Sequence, residues 1–212
     1  LTLGKHGDAF ERKFAKTVGA KHAVLTNSGS SANLLAFSAM CSKTIEGHIK
    51  PGDEVITTAV AFPTTVNPII QNRAIPVFVD AELGTYNLDV KMLEKALSPK
   101  TRAVVFAHTL GNPADLDVIE DFCNRHGLWL MEDCCDALGA TYDGRQVGRF
   151  GDVATCSFYA AHHLTMGEGG VIWCDDPKLE TALLSIRDWG RACYCPTGEA
   201  HPLGKCRKRF DW

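Results

Sequence analysis

The chain predicts an α/β fold, a mostly parallel sheet flanked by helices on both faces. Three observations predict it. Short apolar runs rich in Val, Ile and Phe alternate with stretches of helical periodicity, without repeats or low-complexity tracts. Turn residues such as Pro51-Gly52-Asp53 separate the runs. The residues able to do chemistry gather where the strand-like runs end, the place where open α/β sheets bind ligands.

Taken in order, Phe10, Phe14 and Val18 recur at i, i+4 and i+8 and predict an amphipathic helix. Ala23-Val24-Leu25 is a short buried strand. The small residues Thr26-Asn27-Ser28-Gly29-Ser30-Ser31 follow it and open a helix reaching about Ser42. A strand at Glu54–Thr58 leaves the Pro51-Gly52-Asp53 turn. Further strands are expected at Ile75–Val79, Ala103–Ala107, Leu128–Glu132, Val153–Phe158 and Gly170–Cys174. Helices between them fit Asn67–Asn72, Asp89–Leu97, Asp115–His126 and Pro177–Trp189.

The 212 residues suffice for one large domain with a buried core. A net charge of −3 offers no electrostatic reason to expect nucleic acid or an anionic membrane as partner. No apolar run approaches the roughly 20 residues that span a bilayer. The first residues, Leu1-Thr2-Leu3-Gly4-Lys5, lack a basic-then-apolar signal layout, and both ends read as cuts through a longer protein. Nine cysteines in such a chain point to reduced thiols, some metal-bound, and to a cytoplasmic location. Cys41, Cys123, Cys156 and Cys174 sit singly in apolar or helical surroundings and read as small buried hydrophobes.

Several positions could build a cofactor cradle. Ser28-Gly29-Ser30 joins a strand to a helix, where small residues admit an anion to unpaired N–H groups; a serine helix cap reads the same way. Asp133 ends a strand and could keep a pyridine nitrogen protonated, or could be an ordinary cap or surface acid. Phe62 in Ala61-Phe62-Pro63-Thr64-Thr65 could stack on a ring, although core packing is the commoner use of such a residue. Ser157 could add a phosphate contact. Five positions on stands His162, inside Ser157-Phe158-Tyr159-Ala160-Ala161-His162-His163-Leu164-Thr165-Met166-Gly167-Glu168-Gly169-Gly170. An imidazole shuttles protons but cannot form an imine with an aldehyde.

A second constellation is the thiols Cys135, Cys193, Cys195 and Cys206, separated by 57, 1 and 10 residues. Cys193-Tyr194-Cys195 in a polar loop is too close to be two core residues. Thiolates suit an iron–sulfur cluster or zinc, and spacing alone leaves both open.

In sequence order, the small-residue turn, aromatic, strand-end aspartate and serine five residues before a base resemble the DegT/StrS-type sugar aminotransferases, vitamin-B6-dependent enzymes of the aspartate aminotransferase fold. The resemblance covers essentially the whole chain. It implies the large domain of PLP fold type I over 1–212, with a cysteine-rich loop at 193–206 and the small C-terminal domain missing. It assigns phosphate to Ser28, Gly29, Ser30 and Ser157, ring stacking to Phe62, the ring nitrogen to Asp133, and the lysine position to His162. The serine-plus-five spacing favours His162 over His163.

Within that family the His-His pair, Ala107-His108-Thr109-Leu110-Gly111-Asn112-Pro113 and Asp188-Trp189-Gly190-Arg191 resemble the sugar 3-dehydrases of 3,6-dideoxyhexose synthesis. This implies a lyase-type dehydratase in lipopolysaccharide O-antigen synthesis, using pyridoxamine 5'-phosphate with His162 as its base. The cluster-bearing CDP-sugar branch shares the first two cysteine spacings and has a shorter last gap. It implies a [2Fe–2S] cluster on Cys135, Cys193, Cys195 and Cys206, with His201 the rival fourth ligand and Cys134 a bystander. The implied substrate is a CDP-4-keto-6-deoxyhexose and the implied partners an NADH-dependent flavin/iron–sulfur reductase and a second copy in a homodimer. The alternatives are a cluster-free GDP-4-keto-6-deoxymannose 3-dehydrase and a catalytically silent B6-fold binding or regulatory protein.

Overall fold

A computed structural model describes residues 4–192 of the chain. Seven strands form one sheet in the order β1-β9-β8-β5-β4-β2-β3. These are β1 (His22–Thr26), β2 (Glu54–Thr58), β3 (Ile75–Val79), β4 (Thr101–Ala107), β5 (Trp129–Asp133), β8 (Val153–Ser157) and β9 (Gly170–Cys174). β2, β3, β4, β5 and β8 pair parallel, while β9 runs antiparallel to both β8 and β1. The edge strand β3 leaves Ile75 and Phe78 exposed, while the central parallel strands are buried along most of their length and read as largely apolar runs, which is why the sequence located them well. Its periodicity carries no direction, so the reversal of β9 had to come from the structure.

Among the described residues, six helices cover the sheet: α1 (Lys5–Val18), α2 (Gly29–Met40), α3 (Pro63–Gln71), α4 (Leu93–Ala96), α5 (Leu116–His126) and α6 (Pro177–Arg187). Phe14 and Val18 of α1, Leu93 of α4, and Leu116, Ile119 and Phe122 of α5 form one core layer with Val104, Phe106 and Trp173. Ala32, Leu35, Ala36 and Phe37 of α2, Ile69 of α3 and Leu179 and Leu183 of α6 form the other with Val55, Val105, Met131 and Ile172. The apolar sequence of α2 has no polar stripe because the sheet, α3 and α6 all surround it.

Boundaries differ from expectation for local reasons. α3 begins at Pro63, whose missing N–H costs nothing at a first helical position, and runs through Pro68. The stretch expected as one helix at 89–97 is a 3₁₀ turn, Val90–Met92, followed by α4. α6 stops at Arg187, and Trp189 beyond it has φ 67°. β5 lies one residue later than expected, so Asp133 is its last residue. Among the described residues no helix is long and apolar enough to cross a membrane.

Candidate active site

The C-terminal ends of β1, β5 and β8 and the starts of α2 and α3 surround a cleft of about 710 Å³. Ser28, Gly29, Ser30, Phe62, Asp133, Cys135, Ser157 and His162 all line it, drawn together from distant parts of the chain. A groove of similar size between α1, α2 and the end of α6 is lined by Leu25, Leu34, Ile186 and Trp189 and contains none of these groups.

The serine turn is both a helix cap and a cradle. Ser28 Oγ accepts the N–H of Ser31 at 3.1 Å, so its side chain is the N-cap of α2. The first N–H groups of α2, at Gly29 and Ser30, have no intrahelical partner and border the cleft at the positive end of the helix dipole. Only glycine fits at 29, because a Cβ there would lie 2.4 Å from Cβ of Ser157. Gly170 is pinned similarly, its missing Cβ falling 2.1 Å from the carbonyl oxygen of Ser28. These two close approaches clamp the start of α2 onto the end of β8 and the start of β9. Ser157 is buried, and its Oγ accepts the N–H of Tyr159 at 3.2 Å while keeping its own proton to donate.

Asp133 is 4% exposed. Its Oδ2 accepts Nδ2 of Asn33 and Oγ1 of Thr65, each at 2.8 Å, and its Oδ1 accepts the N–H of Cys135 at 3.1 Å. Three donors hold the carboxylate, and a lone pair of Oδ1 is left for the cleft. Phe62 immediately precedes α3 and is 69% exposed, so its ring is a cleft wall and not core.

His162 sits in the loop between β8 and β9. Its Nδ1 lies 2.8 Å from the carbonyl oxygen of Cys135. A carbonyl only accepts, so Nδ1 carries a proton in this contact, and Nε2 is the ring nitrogen left to exchange a proton. The edge of the Tyr159 ring meets the imidazole at 5.9 Å between centroids and 85° between planes. His163 is exposed and does not line the cleft.

Cys135 borders the same cleft, and burial, then the neighbouring Asp133 carboxylate, push its thiol well up from the ordinary range. Cys193, Cys195, His201 and Cys206 lie outside the described residues. Cys41 and Cys135 are half-buried, while Cys123, Cys134, Cys156 and Cys174 are buried.

Sequence reasoning passed over four polar residues that build this region. Asn33 (1% exposed) and Thr65 hold Asp133, and Oγ1 of Thr155 donates to Oδ1 of Asn33 at 2.5 Å. A single amide among the apolar residues of α2 was the available signal. The fourth is Glu132, on the opposite face of β5. It accepts the N–H groups of Gly148, Phe150 and Gly151 at 2.7, 2.9 and 2.7 Å and Nε2 of His108 at 3.1 Å. Nδ1 of His108 accepts from the N–H of Ala114. Ligand atoms of His108, Glu132 and Cys134 fall within 4.8 Å of one another. Both ring nitrogens and both carboxylate oxygens are already hydrogen-bonded, so the group is a structural knot and not a metal site.

The sequence profile of the DegT/DnrJ/EryC1/StrS aminotransferase family matches residues 1–199. The chain is 52% identical over 206 residues to the lipopolysaccharide biosynthesis protein RfbH of Salmonella typhimurium, covering 97% of this chain and 47% of that protein. It is 50% identical over 213 residues to the dTDP-4-dehydro-2,6-dideoxy-D-glucose 3-dehydratase of Saccharopolyspora spinosa, covering 100% and 46%. Among solved structures, a GDP-4-keto-6-deoxymannose-3-dehydratase with a trapped PLP–glutamate geminal diamine superposes with TM-score 0.83 at 36% identity, covering 90% of this chain and 49% of that one. The chain thus spans about half the length of the relatives it matches.

Proposed function

The chain belongs to the DegT/DnrJ/EryC1/StrS aminotransferase family, and from that premise we propose that it takes part in removing the C3 hydroxyl of a nucleotide-linked 4-keto-6-deoxyhexose, with pyridoxamine 5'-phosphate as cofactor. The observation that carries this reading is His162 in the cleft, with Nδ1 on the Cys135 carbonyl, where the family resemblance calls for lysine.

The cradle fits such a cofactor. The clamped start of α2 and the Ser157 hydroxyl suit a phosphate, the exposed face of Phe62 suits a planar ring, and Oδ1 of Asp133 suits a protonated ring nitrogen. When bound, pyridoxamine phosphate would supply an amine to condense with the sugar ketone and a ring to take up electrons. Asp133 would stabilise positive charge at the ring nitrogen of the bound cofactor. His162 Nε2 would act as the base toward C4′ of the bound cofactor, with the Cys135 carbonyl orienting the imidazole through Nδ1. A base so placed is worth about 10²–10⁴ in rate. The His162→Ala protein should bind pyridoxamine phosphate nearly as well as the parent yet fail to exchange its C4′ hydrogen with solvent deuterium. Retained exchange removes His162 from this role.

The finer assignment is a CDP-linked sugar on the route to 3,6-dideoxysugars of lipopolysaccharide, with a [2Fe–2S] cluster on Cys135, Cys193, Cys195 and Cys206. The cluster would relay single electrons from an NADH-dependent flavin/iron–sulfur reductase, and the working form would be a cytoplasmic homodimer. The spacing of the thiols and the place of Cys135 beside the cleft support the cluster. The relatives named for dTDP- and GDP-linked sugars favour a second reading, in which the nucleotide differs. Iron and acid-labile sulfide analysis of anaerobically purified protein, run beside activity on the CDP, dTDP and GDP sugars, separates the two. Absence of both elements with full activity on a GDP sugar selects the cluster-free reaction. A silent relative would give no saturable spectrum with pyridoxamine phosphate.

A further inference from the structure

Asp133 is gripped by residues from three other elements: Asn33 of α2, Thr65 of α3 and, through Asn33, Thr155 of β8. We propose that Asn33 and Thr65 are positioning residues that hold Oδ2 of Asp133 and thereby reserve Oδ1 for the ring nitrogen of the cofactor. The inference rests on the reading of the cleft as a pyridoxamine phosphate site.

An aspartate needs such help. The torsion that turns its carboxylate is broad and nearly two-fold, so an unrestrained Asp133 would spread its charge over many directions. Two donors at 2.8 Å on the same oxygen convert that soft torsion into a fixed one. The Asn33 amide is itself fixed. Reversed, it would set its carbonyl oxygen against the carboxylate and abandon the acceptor that Oγ1 of Thr155 uses. All four side chains are buried, so water offers no replacement partner, and losing a donor here costs more than at a surface. Thr65 also ties two jobs to one element. Its N–H bonds to the carbonyl of Phe62 at 3.0 Å, so the start of α3 delivers both the ring wall and the aspartate's partner.

The test is to titrate the protein with ring-¹⁵N pyridoxamine phosphate and read both the dissociation constant and the ring-nitrogen NMR shift. Thr65→Val is nearly isosteric and removes only the hydroxyl, Asn33→Leu removes the amide, and Thr65→Ser restores a hydroxyl. The parent should show a protonated ring nitrogen. Thr65→Val and Asn33→Leu should each weaken binding about tenfold and move the signal toward neutral pyridine, and Thr65→Ser should recover both. Should Asn33→Leu not fold, the valine and serine pair carries the test alone. Parent-like affinity and shift in Thr65→Val overturn the positioning role while leaving the cofactor reading intact. A parent that binds no pyridoxamine phosphate overturns the cofactor reading itself.

Discussion

Glu132 and Asp133 stand side by side at the end of β5, and alternation along the strand sends them to opposite faces of the sheet. On one face Glu132 is completely enclosed, with three backbone N–H groups and His108 on its two oxygens. On the other, Asp133 receives three donors and borders the cleft with acceptor capacity to spare. A saturated buried carboxylate can only hold structure, because any new partner must displace an old one. An unsaturated one at a cleft wall can meet a ligand. The count of donors, and not the charge, separates scaffold from site.

The largest effect should come from the scaffold. Glu132→Ala strands three N–H groups, two of them buried, and His108, and is expected to cost about 3–5 kcal/mol in urea denaturation. A loss much below that would mean water or repacking satisfies the knot. Asp133→Asn should separate function from stability. Unfolding free energy should fall by no more than about 1–2 kcal/mol, while kcat/KM drops by about 10²-fold or more. Equal stability losses at 132 and 133 would break the contrast.

Gly29→Ala sharpens it from the cradle side. The overlap with Ser157 forces a backbone shift worth about 1–3 kcal/mol and should weaken binding of the cofactor phosphate. Adding Ser157→Gly should recover stability, read by thermal melting, but not affinity. The smallest effect is expected at the surface, where Arg149 pairs with Asp175 through both terminal guanidinium nitrogens at 3.1 and 2.7 Å. That hydrogen-bonded guanidinium holds the Asp175 carboxyl below its ordinary range. A depressed carboxylate stabilises the fold above its unfolded-state pKa and loses that contribution as pH falls through the folded value. Asp175→Asn should therefore lower stability slightly at neutral pH, within about 0.5 kcal/mol because the pair is solvent-screened, and flatten the decline under acid. Denaturation curves at the two pH values check this.

Much of the fold was legible because buried parallel strands and helix periods are local signals. The cleft residues were legible for a different reason. Ser28, Phe62, Asp133, Ser157 and His162 lie at strand ends or a few residues past them, and the sequence marks strand ends. Partnerships were not legible. Nothing in Ala32-Asn33-Leu34 says that this amide meets a carboxylate 100 positions away, and nothing in Cys134-Cys135 says that a carbonyl there fixes a histidine ring. Core packing was the commoner expectation for Phe62, yet the ring is exposed, because the start of α3 faces the cleft. One omission was avoidable. Asp143-Gly144, both at positive φ (47° and 79°), turns the small hairpin of β6 (Thr141–Tyr142) and β7 (Arg145–Gln146), and Asp-Gly between short strands is a strong hairpin signal.

The pairing of Ser157 with Gly170, reinforced by the N–H of Phe158 on the carbonyl of Gly169 at 2.8 Å, closes the loop 158–169 at its base. Backbone groups make that closure, so it is indifferent to the side chain at 162. The loop behaves as a cassette seated in a fixed socket. A scaffold of this kind can take a different reactive side chain at 162 without a change in the sheet. Diversification of reaction type on this framework therefore requires no rebuilding of the core.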